Sequence, residues 1–382
     1  MAASESPHSF SVLGGLLYRA GRGLGLVRGE TNTILLGVAL GWGPWLLVAA
    51  LALTGGVADR MLSMALIAAH ARLLVVIPLM FACESWVAPR MAAFVSTIAR
   101  SGVVSADDHP ALDAEVSRTR RWANWWWPEV ACLAIAVLLD VTGSRLQTYG
   151  ESGAYDPARD SLSFLFYVHV GLLVFRFLLF RTVWQLALWG WFLWRVSRLE
   201  LHLIPGHPDR AGGLGSVEGV HERFTPLVVA LSVLECAALA ESISTGTLVV
   251  TAVYPTLALL LLLDVVLFLA PLVVFTDKLW AARTKGVGLY NGLAARYVRQ
   301  FEAKWLEGPP ADEPLLGTPD VQSLADLANA VAVTKGMRWI TVGPRLVTMM
   351  TIAVVAPLMP LLLFRYPLAE LAQKFFSTLV GM

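Results

Sequence analysis

Four ionisable side chains, His70, His169, Glu241 and Asp264, stand inside four separate apolar runs of this sequence. Counted inward from the ends that the charge pattern puts outside the cell, each lies about eight or nine residues deep, roughly 12 to 14 Å at the rise of an α-helix. An ionisable group at that depth in hydrocarbon is expensive, and the usual reason to keep one is an ion path, a proton relay or an interhelical pair. The chemistry to expect is a protonatable or cation-attracting station on a pathway for an ion or small polar solute. Arg176 and Glu235 lie deeper, each about fifteen residues from the outside, and as an ion pair they would offset each other's desolvation. Arg72 falls between the two levels. The stretch ESISTGT around Glu241 adds hydroxyls, and Gly246 permits close helix approach. The competing reading has all of these groups pairing off as interhelical glue. His70 and Arg72, two positions apart on a helix, point about 200° apart and cannot both look into one cavity.

Two histidines at one depth also raise a haem or metal site, with His70 and His169 as ligands and Glu241 or Asp264 completing it. Neither His70 nor His169 stands in an HxxxH or Glu-x-x-His spacing, so neither a cofactor nor a metal is expected. A second candidate is the connection LHLIPGHPDRAGGLGSVEGVHERF, where His202, His207, Asp209, His221 and Glu222 are possible ligands or acid–base groups. Arg210, Gly212, Gly213 and Gly215 complete it, the glycines allowing backbone geometry that other residues resist. They match neither a Walker loop nor a dinucleotide fingerprint. A tight fold is favoured instead, with turns at Pro205-Gly206 and Pro208-Asp209. The segment HPDRAGGLG resembles a loop of uncharacterised bacterial polytopic membrane proteins, a likeness that implies no activity.

The elements that position these groups follow from composition. Hydrophobic residues are 57% and charged residues 15% of 382, whereas a soluble domain carries about 25% charged residues, so lipid rather than water is the solvent for most of the surface. Runs of spanning length predict helices at Ile34–Thr54, Met61–Cys83, Ala123–Val141, Ser161 to about Trp184, Pro226–Val250, Thr256–Phe275 and Leu346–Phe364. Arginine and lysine crowd alternate connections: Arg19, Arg22 and Arg28; Arg90 to Arg121; Arg195 to Arg223; Lys278 to Lys304. The connections between them are short or acid-balanced, with Asp59 beside Arg60, and Glu151, Asp156 and Asp160 against Arg145 and Arg159. That alternation puts the N-terminus in the cytoplasm and the C-terminus outside, in a multi-pass protein of the inner (plasma) membrane. Trp125 to Trp127 and Trp189, Trp191 and Trp194 fall where an interfacial aromatic belt belongs. A net charge of +1 argues against nucleic acid. Cys83, Cys132 and Cys236 lack CxxC spacing and read as small buried hydrophobes.

Some segments depart from simple spanning. The fourth apolar stretch runs on to Leu199, roughly 57 Å of helix, and must tilt, break or extend past the membrane. Phe10, Leu13, Leu17 and Tyr18 followed by Arg19 and Arg22 predict a short helix on the inner leaflet rather than a removable signal peptide. Tyr290, Leu293, Tyr297, Phe301 and Trp305 predict one amphipathic cytoplasmic helix, and Val321, Leu324, Ala328 and Val331, after the Thr318-Pro319 start, a second. The expected division is an interfacial segment 1–30, six spans over 31–275 with the glycine-rich loop at 200–224, amphipathic helices over 276–342, and a last span with an outer interfacial helix over 343–382. This all-α, seven-span plan, with a long fourth and extended sixth helix, is similar to insect chemoreceptor ion channels in architecture, though not in motif. In that family the last span lines the central pore of a tetramer, and here a homo-oligomer is expected from the excess of apolar surface on the cytoplasmic extensions. The alternatives are a membrane-embedded enzyme or redox protein, and a scaffold or assembly subunit whose charges are all paired.

Overall fold

The computed structural model describes residues 10, 12–29, 31–58, 61, 66–150, 161–244, 253–307 and 318–364. The expected outer interfacial helix from Tyr366, the Asp59–Arg60 and Glu151–Asp160 connections, Gly246 with its neighbouring threonines, and the EGPPADEPLLGTP loop lie outside the described residues. The described chain is all-helical: α1 Gly15–Gly23, α2 Ile34–Thr54, α3 Ile67–Arg100, α4 His109–Asn124, α5 Trp127–Gly150, α6 Leu162–Val196, α7 Ser216–His221, α8 Thr225–Ser244, α9 Val253–Val273, α10 Thr276–Trp305, α11 Pro319–Lys335 and α12 Pro344–Leu358. Five helices are each long and apolar enough to cross a membrane, and two bent pairs raise the total to as many as seven.

The bends and breaks have local causes. α4 meets α5 at 43° where Trp125 is extended, so the third predicted span begins at Trp127 rather than Ala123. α9 meets α10 at 49°, just past Pro271, which has no N–H to donate inside the helix. In α12, Pro357 and Pro360 convert the end into a 3-10 turn from Met359. The fourth apolar stretch neither breaks nor stops: α6 is 35 residues long and, like the 34-residue α3, runs past the apolar zone on the arginine-rich side.

Close helix approach is set by small residues. An added Cβ on Gly37 of α2 would stand 2.5 Å from the Phe81 Cβ, and one on Gly41 would stand 2.2 Å from the Leu73 carbonyl oxygen of α3. The start of α2 is stitched to α3 by the Thr33 hydroxyl donating to the Phe81 carbonyl at 3.0 Å and the Thr33 N–H donating to Ser85 Oγ at 2.9 Å.

The densest packing lies on the arginine-rich side. Phe94, Val95 and Ile98 of α3, Leu112 and Val116 of α4, Trp189, Phe192 and Val196 of α6, and Val217 and Val220 of α7 are all buried. Toward the opposite side Leu46, Leu53, Leu138, Leu162 and Leu259 are exposed, as lipid-facing residues are. Trp125, Trp126, Trp127 and Trp194 are exposed and fit an interfacial belt, whereas Trp189 is buried and belongs to the core instead. Beside this core α10 and α11 pack as a pair, joined where Asp320 accepts from Lys304 and from the Trp305 indole, bonds that hold its carboxyl below the usual aspartate range.

The N-terminal segment departs from expectation. Phe10 is 2% exposed and packs against Phe192 and Trp189, ring centroids 4.4 and 5.9 Å apart, and Leu13 is buried as well. These apolar side chains enter the protein rather than the bilayer. The helix is short because Gly14 and Gly15 must pass close to the α4–α5 junction: a Cβ on Gly15, whose φ is +88°, would stand 2.2 Å from Glu129 Oε1. Gly15→Ala is therefore expected to loosen this strap by about 1–3 kcal/mol. Trypsin cleavage at Arg19 and Arg22 in the detergent-solubilised protein reads it. Cleavage at the wild-type rate would show that the strap does not depend on this approach.

Candidate functional site

The polar groups on the side opposite the arginines gather where two helices widen. α3 is wound as a π-helix over Ala71–Val76 and α6 over Tyr167–Gly171, and such turns frequently mark functional sites. In α3 a cause is visible: Pro78 offers no N–H to the Leu74 carbonyl four residues back, and that oxygen accepts the Trp42 indole N–H at 3.0 Å. The two wide turns touch, because Arg72 Nη1 donates to the Tyr167 hydroxyl at 2.7 Å while its guanidinium stands 5.9 Å from the Phe175 ring centre.

The expected pathway residues take several partners rather than one cavity. His70 Nδ1 accepts from the Trp45 indole at 2.9 Å, which leaves the proton on Nε2 to be donated to the Met61 carbonyl at 2.5 Å. Both ring nitrogens are used within the protein, so the ring has no nitrogen left for a metal. His169 Nδ1 lies 2.9 Å from Asp140 Oδ2. Glu241 interacts with Arg72 and with the backbone N–H of Ala68. As the 200° argument requires, His70 and Arg72 face different neighbours. No group of three or more His, Cys, Asp or Glu able to hold a metal ion occurs among the described residues.

The expected Arg176–Glu235 pair is not formed. Arg176 Nη1 lies 3.6 Å from Asp140 Oδ1, a residue the sequence reading overlooked although it is the one acid in the run CLAIAVLLDVTG. Glu235 of α8 instead interacts with Asp264 of α9. Glu235 Oε2 and Asp264 Oδ2 are buried with no hydrogen-bond partner among the described residues, and Asp264 is only 5% exposed. Equal depth had separated Glu235 from Asp264 by several residues, but α8 and α9 pack together closely enough for the Asp264 charge to act on Glu235.

Family models, curated proteins and solved structures give no match to this chain.

A second charged cluster, absent from the sequence reading, lies toward the arginine-rich side. Arg181 of α6, 3% exposed, bonds Glu84 of α3 through Nη1 and Glu129 of α5 through Nε, the latter at 3.2 Å. Glu129 also accepts the N–H groups of Leu16 and Leu17, at 3.1 Å for Leu17, and so caps α1. The signal was present, since Arg181 lies inside a predicted span, but Glu84 fell one residue past the predicted end of its own.

The glycine-rich loop is built around Asp209. Its carboxylate accepts from Ala211 N–H at 2.8 Å, Gly213 at 3.1 Å and Gly215 at 2.8 Å, and sits 2.8 Å from His207 Nδ1. Burial pushes this carboxyl up, but the three N–H groups and His207 outweigh it and hold it below the usual aspartate range. Gly212 and Gly213, at φ +66° and +99°, and Arg210 at +54° make the turn possible. Arg338 clamps it from outside by donating to the Asp209 carbonyl at 3.3 Å and to Glu218 at 2.8 Å. His221 is buried between the Trp189 indole N–H at 3.1 Å and the Phe268 carbonyl at 2.8 Å. It therefore accepts at Nε2, donates at Nδ1 and has no free nitrogen. Loop and His221 both serve the fold.

Proposed function

We propose that this protein moves protons or small monovalent cations across a membrane, with Glu235 and Asp264 as the binding station. The observation that carries this reading is that the neighbouring helices α8 and α9 each hold a carboxyl with a buried oxygen that has no hydrogen-bond partner among the described residues. Two bare negative charges on neighbouring helices in hydrocarbon are unstable, so the carboxyls are completed by a proton or a cation, which is what a translocation site requires. In this reading the arginine-rich face, with the N-terminus, is cytoplasmic.

Reconstituted protein is expected to dissipate an imposed pH or sodium gradient in proteoliposomes, and E235Q and D264N to slow that flux at least about tenfold, the loss of one charge-assisted contact. Flux that the double variant leaves untouched would remove the station. A scaffold role is the second reading, favoured by the partners that His70, Arg72 and His169 find within the protein. It predicts no flux from the wild type in either gradient.

A further inference from the structure

Glu235 and Asp264 each keep one carboxyl oxygen that is shut off from solvent and has no hydrogen-bond partner among the described residues. Counted from the arginine-rich ends of α8 and α9, each lies roughly ten residues in, or about 15 Å at the rise of a helix, which is the middle of a hydrocarbon core about 30 Å thick. Few ligands surround them. Within one turn of Asp264 on α9 every other residue is Leu, Val or Phe, and within one turn of Glu235 on α8 the only side chain with an oxygen is Ser232, fully buried and likewise without a partner among the described residues. The cations on the packed helices are committed elsewhere. Arg72 bonds Tyr167 and acts on Glu241, Arg176 lies 3.6 Å from Asp140, Arg181 bonds Glu84 and Glu129, and Arg345 lies 3.3 Å from Glu222. His70 and His221 spend both ring nitrogens on other partners, and Arg90 and Arg100 stand exposed toward the arginine-rich end of α3.

We propose that the species taken up at this station is the proton itself, carried by Glu235 and Asp264 as neutral carboxyls. The assignment rests on the translocation reading and narrows it. A hard cation stripped of its water must be given about six oxygen ligands. Two carboxyls and one hydroxyl fall short of that, and an oxygen without accessible surface is not open to a metal ion. A proton needs no such space. It adds to a carboxyl oxygen as an O–H, turning a carboxylate that burial makes costly into a neutral acid, and its release restores the carboxylate.

Infrared spectroscopy of the purified full-length chain in detergent, with flux in proteoliposomes, tests this. The wild type at neutral pH is expected to show the C=O stretch of a neutral carboxyl, and D264N to lose the Asp264 share of it. Heavy-carbon aspartate shifts the same band in the unsubstituted chain, so the measurement survives a variant that does not fold. Replacing choline by sodium is expected to leave the band unchanged. In proteoliposomes with valinomycin to carry compensating charge, a pH gradient is expected to decay equally in sodium and choline media, at least about tenfold more slowly in E235Q/D264N. Radiolabelled sodium is expected to enter no faster than into protein-free vesicles. A wild type without an Asp264 C=O band, or sodium uptake that E235Q/D264N abolishes, overturns the proton assignment and gives the station to a metal cation. Vesicles that pass neither ion remove the translocation reading, and the proton assignment falls with it.

Discussion

Arg181→Met is expected to destabilise the protein by about 3–5 kcal/mol, because it strands two buried carboxylates that share one cation. The guanidinium bonds both Glu84 and Glu129 and also stands 6.0 Å from the Phe81 ring centre, so three helices, α3, α5 and α6, lose their common tie at once. The sign of the compensation distinguishes charge from packing. If stranded charge is the cause, R181M/E84Q/E129Q, which keeps the volumes and removes all three charges, recovers most of the loss. If packing is the cause, the triple variant is no better than the single one. Tryptophan fluorescence during thermal unfolding in detergent reads both, and a single variant within about 1 kcal/mol of wild type would refute the account.

Asp209→Ala is expected to lose about 3 kcal/mol or more, since three backbone N–H groups converge on that carboxylate and charged hydrogen bonds contribute roughly 1.5–3 kcal/mol each before water competes for the freed groups. The pH dependence has a definite sign. The folded carboxyl titrates below its unfolded value of about 3.9, so its contribution is complete above that value and disappears as pH falls through the lower folded one. Amide hydrogen exchange at Ala211, Gly213 and Gly215 should therefore quicken in acid in the wild type and already be fast at neutral pH in D209A. Protection in D209A equal to wild type would mean that the loop is held by Arg338 and not by Asp209.

The two predictions concern groups of different legibility. The helices were plain in the sequence because each spanning run must satisfy its own backbone in lipid, a constraint that acts locally and leaves about twenty apolar residues in a row. Among the described residues each predicted run overlaps a helix, and the turns and glycines expected around Asp209 form a tight loop with internal hydrogen bonds. Facing was not legible. Depth along a helix placed Arg176 level with Glu235, yet Asp140, on the α5 side of Arg176, took the arginine and left Glu235 to Asp264. Phe10 and Trp189 failed for a similar reason: an aromatic residue near an interface reads as lipid-facing, and only the packing of the segment before α1 against α6 reveals that these two meet each other. The carboxylate of Glu84 was passed over because its span was ended at Cys83, where the apolar run stops but the helix does not.

The paired wide turns of α3 and α6 carry one more consequence. An extra residue in a turn shifts the phase of everything beyond it by about 100°. The outer stubs Ile67–His70 and Leu162–Phe166 are thus clocked differently from the long shafts beneath them, and a helical wheel drawn through either bulge assigns the wrong stripe to the stub.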